Sequence, residues 1–132
     1  MKIIADTNLL VRLAVDNDPA QTRVAASAVA KADAVVVGRH SLCEMVWVLR
    51  SKYRLPREEI VMAIGNLCSI GNVAVDRGAA EAGLAAMKAG ADFADGLIAY
   101  EGRQMGGETF VSFDKKAVAA IAGQGLKARL LV

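Results

Sequence analysis

Five carboxylates in this sequence sit where a fold could draw them together: Asp6, Glu44, Asp92, Asp95 and Asp114. Asp6 follows directly on the β-prone run Lys2-Ile3-Ile4-Ala5, and in an open parallel sheet ligands sit beyond the carboxyl ends of the strands, where this acid would project. Asp6, Thr7 and Asn8 in series are also good turn and capping residues, so a purely local role is open to them. Glu44 is the one acid of a helix otherwise poor in polar residues, and it stands three positions after Ser41, the spacing of a capping box. Asp92 and Asp95 face the same way from the first turn of a helix, where like charges repel but the positive end of the helix dipole favours both. Gly96 is harder to explain as part of that turn, because a glycine there is costly unless backbone or ligand must approach closely. Asp114 follows Thr109 to Phe113, precedes Lys115-Lys116 and reads as a helix N-cap.

Singly, each acid has a local explanation; together they lie at the strand ends and helix starts that one sheet brings to one rim. Carboxylates about 5 Å apart repel by about 3 kcal/mol at an effective dielectric of about 20, so their convergence requires a divalent cation. Oxygen ligands of this kind suit Mg²⁺ or Mn²⁺ and not zinc, and the lone His40 rules out a histidine-based site. Cys43 and Cys68 lack zinc-ligand or CxxC spacing and read as buried thiols.

The elements that must position these acids alternate along the chain. Strands are expected at Lys2 to Ala5, Ala34 to Val37, Val73 to Val75, Thr109 to Val111 and Ala128 to Leu131. Between them, apolar residues recur at helical spacing over Asn8 to Val15, Pro19 to Lys31, Ser41 to Tyr53, Pro56 to Cys68, Gly78 to Lys88, Asp95 to Met105 and Lys115 to Ile121. Gly71, Gly90 and Gly125 sit where helices should end. This order predicts an α/β fold: a central five-stranded parallel sheet flanked by helices on both faces, as a three-layer sandwich formed by a single domain over residues 1–132. The helix from Ser41 has almost no polar face, so it should be buried nearly all round, under its neighbours or against a second chain.

With 132 residues, of which 55% are hydrophobic and 23% charged, the chain is long enough for one domain with a core and too short for two. No apolar run approaches a bilayer span, and Asp6 interrupts the stretch a signal peptide would keep apolar, so a cytoplasmic protein without membrane contact is expected. A net charge of +2 argues neither for nor against an anionic partner. Arg50, Lys52, Arg54 and Arg57 nevertheless cluster, and could hold phosphates or simply complement a helix end.

Taken in order, Ile4-Ala5-Asp6-Thr7-Asn8-Leu9-Leu10, Ser41-Leu42-Cys43-Glu44, Ala91-Asp92-Phe93-Ala94-Asp95-Gly96-Leu97-Ile98-Ala99 and Val111-Ser112-Phe113-Asp114 resemble the PIN-domain ribonucleases, most of all the VapC-type toxins of toxin–antitoxin pairs. The resemblance spans essentially the whole chain. It implies that Asp6, Glu44, Asp95 and Asp114 are the catalytic, metal-ligating acids, with Thr7, Asn8 and Ser112 in support and Asp92 as a supporting or alternate ligand. It further implies Mg²⁺-dependent endonucleolytic cleavage of RNA, a homodimer, and inhibition by a small antitoxin protein. Gly96 departs from the alanine often found after the aspartate. Other readings fit less well: a receiver-like phosphoacceptor domain usually has an acidic pair before its first helix, a haloacid-dehalogenase-type phosphatase needs an aspartate where Asn8 stands, and a non-catalytic PIN-like module would not need all four acids.

Overall fold

In a computed structural model covering residues 1–132, every β-prone run forms a strand and every periodic segment a helix. In chain order these are β1 (Lys2–Ile4), α1 (Thr7–Ala14), α2 (Pro19–Lys31), β2 (Ala34–Val37), α3 (Arg39–Ser51), α4 (Arg57–Ser69), β3 (Val73–Val75), α5 (Arg77–Lys88), α6 (Phe93–Gln104), β4 (Phe110–Ser112), α7 (Lys115–Gly123) and β5 (Ala128–Leu130). Several starts are set by side chains that accept an otherwise unpaired helical N–H: Asp6 caps α1, Asp18 caps α2 ahead of Pro19, and Asp114 caps α7. Gly90 and Gly125 follow α5 and α7 with φ of +98° and +82°, the left-handed conformation that closes a helix and that glycine adopts without steric penalty.

The chain divides into two compact units, Met1–Asp76 and Arg77–Val132. In the first, the strands pair in parallel in the order β1-β2-β3, with Ile4 beside Val36 and Val36 beside Ala74. Its core joins Val35 of β2 to Leu10 of α1, Leu42 and Leu49 of α3, and Ile64 of α4, all fully buried. In the second, β4 pairs in parallel with β5, α5 packs along α6, and α7 packs against α5, α6 and both strands. Met87, Phe93 and Ile121 are buried there.

The strands thus form a three-stranded and a two-stranded sheet, not the single five-stranded sheet expected. Strands of three or four residues make few ladder hydrogen bonds each, so their pattern locates them without deciding how far a sheet extends. Val35, Val37 and Val73 are buried on one side, while Ile4, on the other, is 86% exposed. Helix α3 is also less enclosed than its composition implied: Leu42, Met45, Val46 and Leu49 are buried, but Trp47 is 68% exposed. Neither cysteine forms a disulfide, and both are only half-buried. No helix is long and apolar enough to cross a membrane.

Candidate functional site

In the first unit, α1 and α3 both begin where a strand of the parallel sheet ends, so their first turns share the carboxyl rim. Leu10, Leu42 and Met45 are buried where these helices pack. Asp6 is exposed in the turn out of β1, and its Oδ1 accepts the Leu9 N–H at 3.0 Å. That bond orients the carboxylate through Oδ1. Thr7, the first residue of α1, donates its hydroxyl to Glu44 Oε1 at 3.4 Å. His40, one turn before Glu44, places Nε2 3.0 Å from the same oxygen. Glu44 and Asn8 are exposed at this rim.

The capping box expected of Ser41 and Glu44 is absent. Helix α3 starts two residues earlier, at Arg39, with Gly38 as an N-cap that offers no side chain. Glu44 therefore lies inside the helix, its carboxylate drawn to Thr7 and His40 and not to its own backbone. Arg39 adds a feature that sequence reasoning missed: its guanidinium binds Asp76 Oδ2, with Nε at 2.9 Å. Asp76 follows β3 as Asp6 follows β1, so its place after a strand was the available signal. Arg39 already neutralises it, and it does not join Asp6 and Glu44 as a bare charge.

In the second unit, Asp92 and Asp95 form the capping box of α6, each side chain serving the other's backbone; Asp95 Oδ2 accepts the Asp92 N–H at 3.3 Å. Asp114 caps α7, its Oδ1 accepting from Lys116 at 2.9 Å and Ala117 at 3.2 Å. Ser112 Oγ accepts the Asp114 N–H at 3.0 Å, fixing the turn from β4 into α7. Burial raises the Asp95 carboxyl above the ordinary aspartate range, and the charges of Asp92 and Asp114 push it the same way; the Asp92 backbone hydrogen bond opposes them without prevailing. The three acids of this unit therefore sense one another.

Neither unit on its own brings three His, Cys, Asp or Glu side chains into a metal-holding group. Asp6 and Glu44 belong to the first unit, and Asp92, Asp95 and Asp114 to the second. Every one of these donors is a carboxylate oxygen, a chemistry that fits a hard dication, and the disfavoured charge on Asp95 is of the sign such an ion relieves. Of the basic residues, Arg50 lies in the last turn of α3, Lys52 follows that helix, Arg54 lies in the connecting loop and Arg57 opens α4; Arg57 is half-buried and the other three are exposed. Lys52 alone among them is set over an aromatic ring, its Nζ 5.7 Å from the centre of Tyr53.

A family model described as PIN domain matches residues 3–123. No curated protein matches the chain.

Proposed function

The chain belongs to the PIN-domain family, generally a nuclease fold, and from that premise we propose that it is a Mg²⁺-dependent endoribonuclease acting as the toxin of a toxin–antitoxin pair. The observation that carries this reading is the environment of Asp95, a carboxylate whose charge is disfavoured by burial and by two neighbouring acids and which a bound cation would stabilise. Asp6, Asp95 and Asp114 would hold the ion, with Glu44 placing a second one or accepting a proton. Mg²⁺, or Mn²⁺ in its place, would lower the pKa of a bound water and neutralise charge on the scissile phosphate.

The remaining work falls to the chain's own residues. Thr7 and His40 orient Glu44 through its Oε1, and Ser112 fixes the backbone from which Asp114 projects. Asp92 holds Asp95 in its turn through its backbone N–H, while burial keeps the Asp95 carboxyl above its ordinary range. The capping bonds of Asp6 and Asp114 use Oδ1, so capping and ligation do not compete for the same atom. Trp47, exposed on α3, supports a surface for protein contact, consistent with a homodimer and with a small antitoxin encoded by a short neighbouring gene.

Asp6→Asn tests the reading. Asparagine caps a helix about as well as aspartate, so the variant keeps its melting temperature while losing ligand charge. Cleavage of structured RNA in Mg²⁺ should fall by more than the roughly 10–100-fold typical of disturbing a mere supporting residue. Unchanged cleavage by highly purified variant protein would refute the assignment, as would wild-type cleavage that persists in chelator.

A further inference from the structure

We propose that Arg12, Asn17, Lys52 and Tyr53 form a second nucleic-acid site, holding a phosphate and stacking a base of single-stranded RNA at the end of α1 and α3 remote from Asp6 and Glu44. The inference rests on the nuclease reading only for its choice of RNA as the nucleic acid. Arg12 Nη1 donates to Asn17 Oδ1, and Asn17 Nδ2 donates to Tyr53 Oη at 3.3 Å. The Tyr53 oxygen is thus engaged as an acceptor, which leaves its own O–H to donate outward. Lys52 Nζ lies 5.7 Å from the ring centre and Arg12 contacts the hydroxyl, so two cations stand against one aromatic side chain. That combination, cations beside a ring, is how proteins hold single strands without reading sequence.

The hydroxyl is tuned to donate. The Asn17 hydrogen bond foremost, then contact with Arg12 and the charges of Lys52 and Arg12, hold the Tyr53 phenol below its ordinary range, although burial works the other way. An acidified O–H makes a stronger hydrogen bond to an anionic phosphate oxygen.

A path joins this site to the acids. At 1.5 Å per helical residue, Arg12 is about 9 Å along α1 from Asp6, and Ser51, which ends α3 two residues before Tyr53, is about 10 Å along it from Glu44. Between α1 and α2 runs a groove of about 590 Å³, lined by Asn8 at the rim and by Leu9, Arg12, Gln21 and Val24 farther down. A strand leaving the acids past Asn8 would meet Arg12 within a few nucleotides.

The test is binding of a fluorescein-labelled oligouridine to the full chain in chelator, read by anisotropy across a salt series. Arg12→Gln and Lys52→Gln should each weaken binding and flatten the log–log salt slope by about 0.7, the contribution of one single-strand phosphate contact. Tyr53→Leu should lose about 5- to 140-fold with the slope kept, and Tyr53→Phe, which retains the ring, should lose much less. Melting temperatures identify any variant that fails to fold, in which case Tyr53→Phe and Arg12→Gln carry the test. Unchanged affinities and slopes overturn the proposal, and duplex RNA binding as tightly as the oligouridine overturns the stacking assignment. If wild type cleaves RNA in Mg²⁺ while all variants bind normally, this site falls and the nuclease reading stands. If wild type never cleaves but the variants lose binding as described, the reverse holds.

Discussion

Replacing Gly96 by alanine sets two known effects against each other at one position. An added methyl removes the helix penalty of glycine, a gain of about 1 kcal/mol. At this site, however, the Cβ would stand 2.1 Å from the Ala82 carbonyl oxygen, 2.7 Å from its carbon and 2.8 Å from Ala86 Cβ. Carbon–carbon contacts are optimal at about 3.5–4.0 Å, so relief requires α5 and α6 to separate by about an ångström. The struck atoms are mostly backbone and cannot rotate away. The same seam is close elsewhere: a Cβ on Gly83 would meet the Phe93 ring at 2.4 Å, and one on Gly78 the Tyr100 hydroxyl at 2.3 Å. Separation would loosen Ala86, Met87, Phe93 and Leu97, all buried. Overpacking costs about 1–3 kcal/mol, and a backbone clash belongs at the top of that range. Less the propensity gain, the net loss is about 2 kcal/mol, or roughly 1 M in the urea midpoint for a slope of about 2 kcal/mol/M. Gly102→Ala on the same helix, where nothing lies within 4 Å of the new Cβ, is the control and should stabilise by up to about 1 kcal/mol. Urea unfolding followed by circular dichroism decides the matter. A midpoint that rises for both variants would refute the claim that α5 and α6 meet backbone to side chain at Gly96.

Two further outcomes follow from the charges. Because the folded state raises the Asp95 carboxyl, folding binds protons there; this group's penalty is absent at low pH, sets in as pH rises through the ordinary aspartate value toward the raised one, and is complete at neutrality. Asp95→Asn removes it while keeping an acceptor for the Asp92 N–H, so in chelator at neutral pH the variant should melt no lower than wild type and should gain less from added Mg²⁺; a clearly lower melting temperature without metal would contradict this. Arg39→Met leaves the half-buried Asp76 without its cation and should cost about 1–2 kcal/mol, most of it recovered in the double variant with Asp76→Leu; a single variant as stable as wild type in urea would show that the pair contributes nothing.

The elements were legible because their signals are local. Apolar spacing placed five strands and seven helices within a few residues of where they lie, and the acids of the turns after Ile4 and Ser112 read correctly as helix caps. Where a motif's meaning depends on the exact start of a helix, the reading failed: Ser41 and Glu44 have capping-box spacing, yet the helix begins at Arg39 and turns both into interior residues. Partnerships across the sheet were beyond reach for a different reason. Nothing in the chain near Asp76 announces Arg39, 37 residues away, and nothing near Tyr53 announces Asn17. The extent of the sheets and the exposure of Trp47 likewise depend on what packs alongside, which periodicity does not encode.

Capping explains where the aspartates sit but not why these positions are charged. Serine, threonine or asparagine accepts the same backbone N–H groups, and a carboxylate that accepts such bonds ordinarily becomes more acidic. Asp95 accepts one and yet has its charge disfavoured, because burial and the fields of Asp92 and Asp114 outweigh the bond. The positive end of the helix dipole favours an acid here by only about 0.3–1 kcal/mol, and in the folded chain burial and the neighbouring acids act against that charge. A hard dication reverses the sign of each unfavourable contribution at once: it compensates the lost hydration, screens the two neighbours and makes the deprotonated form the preferred one. That reversal is the physical reason to read these acids as ligands, and it is why the metal dependence of Asp95→Asn stability discriminates more sharply than its activity alone.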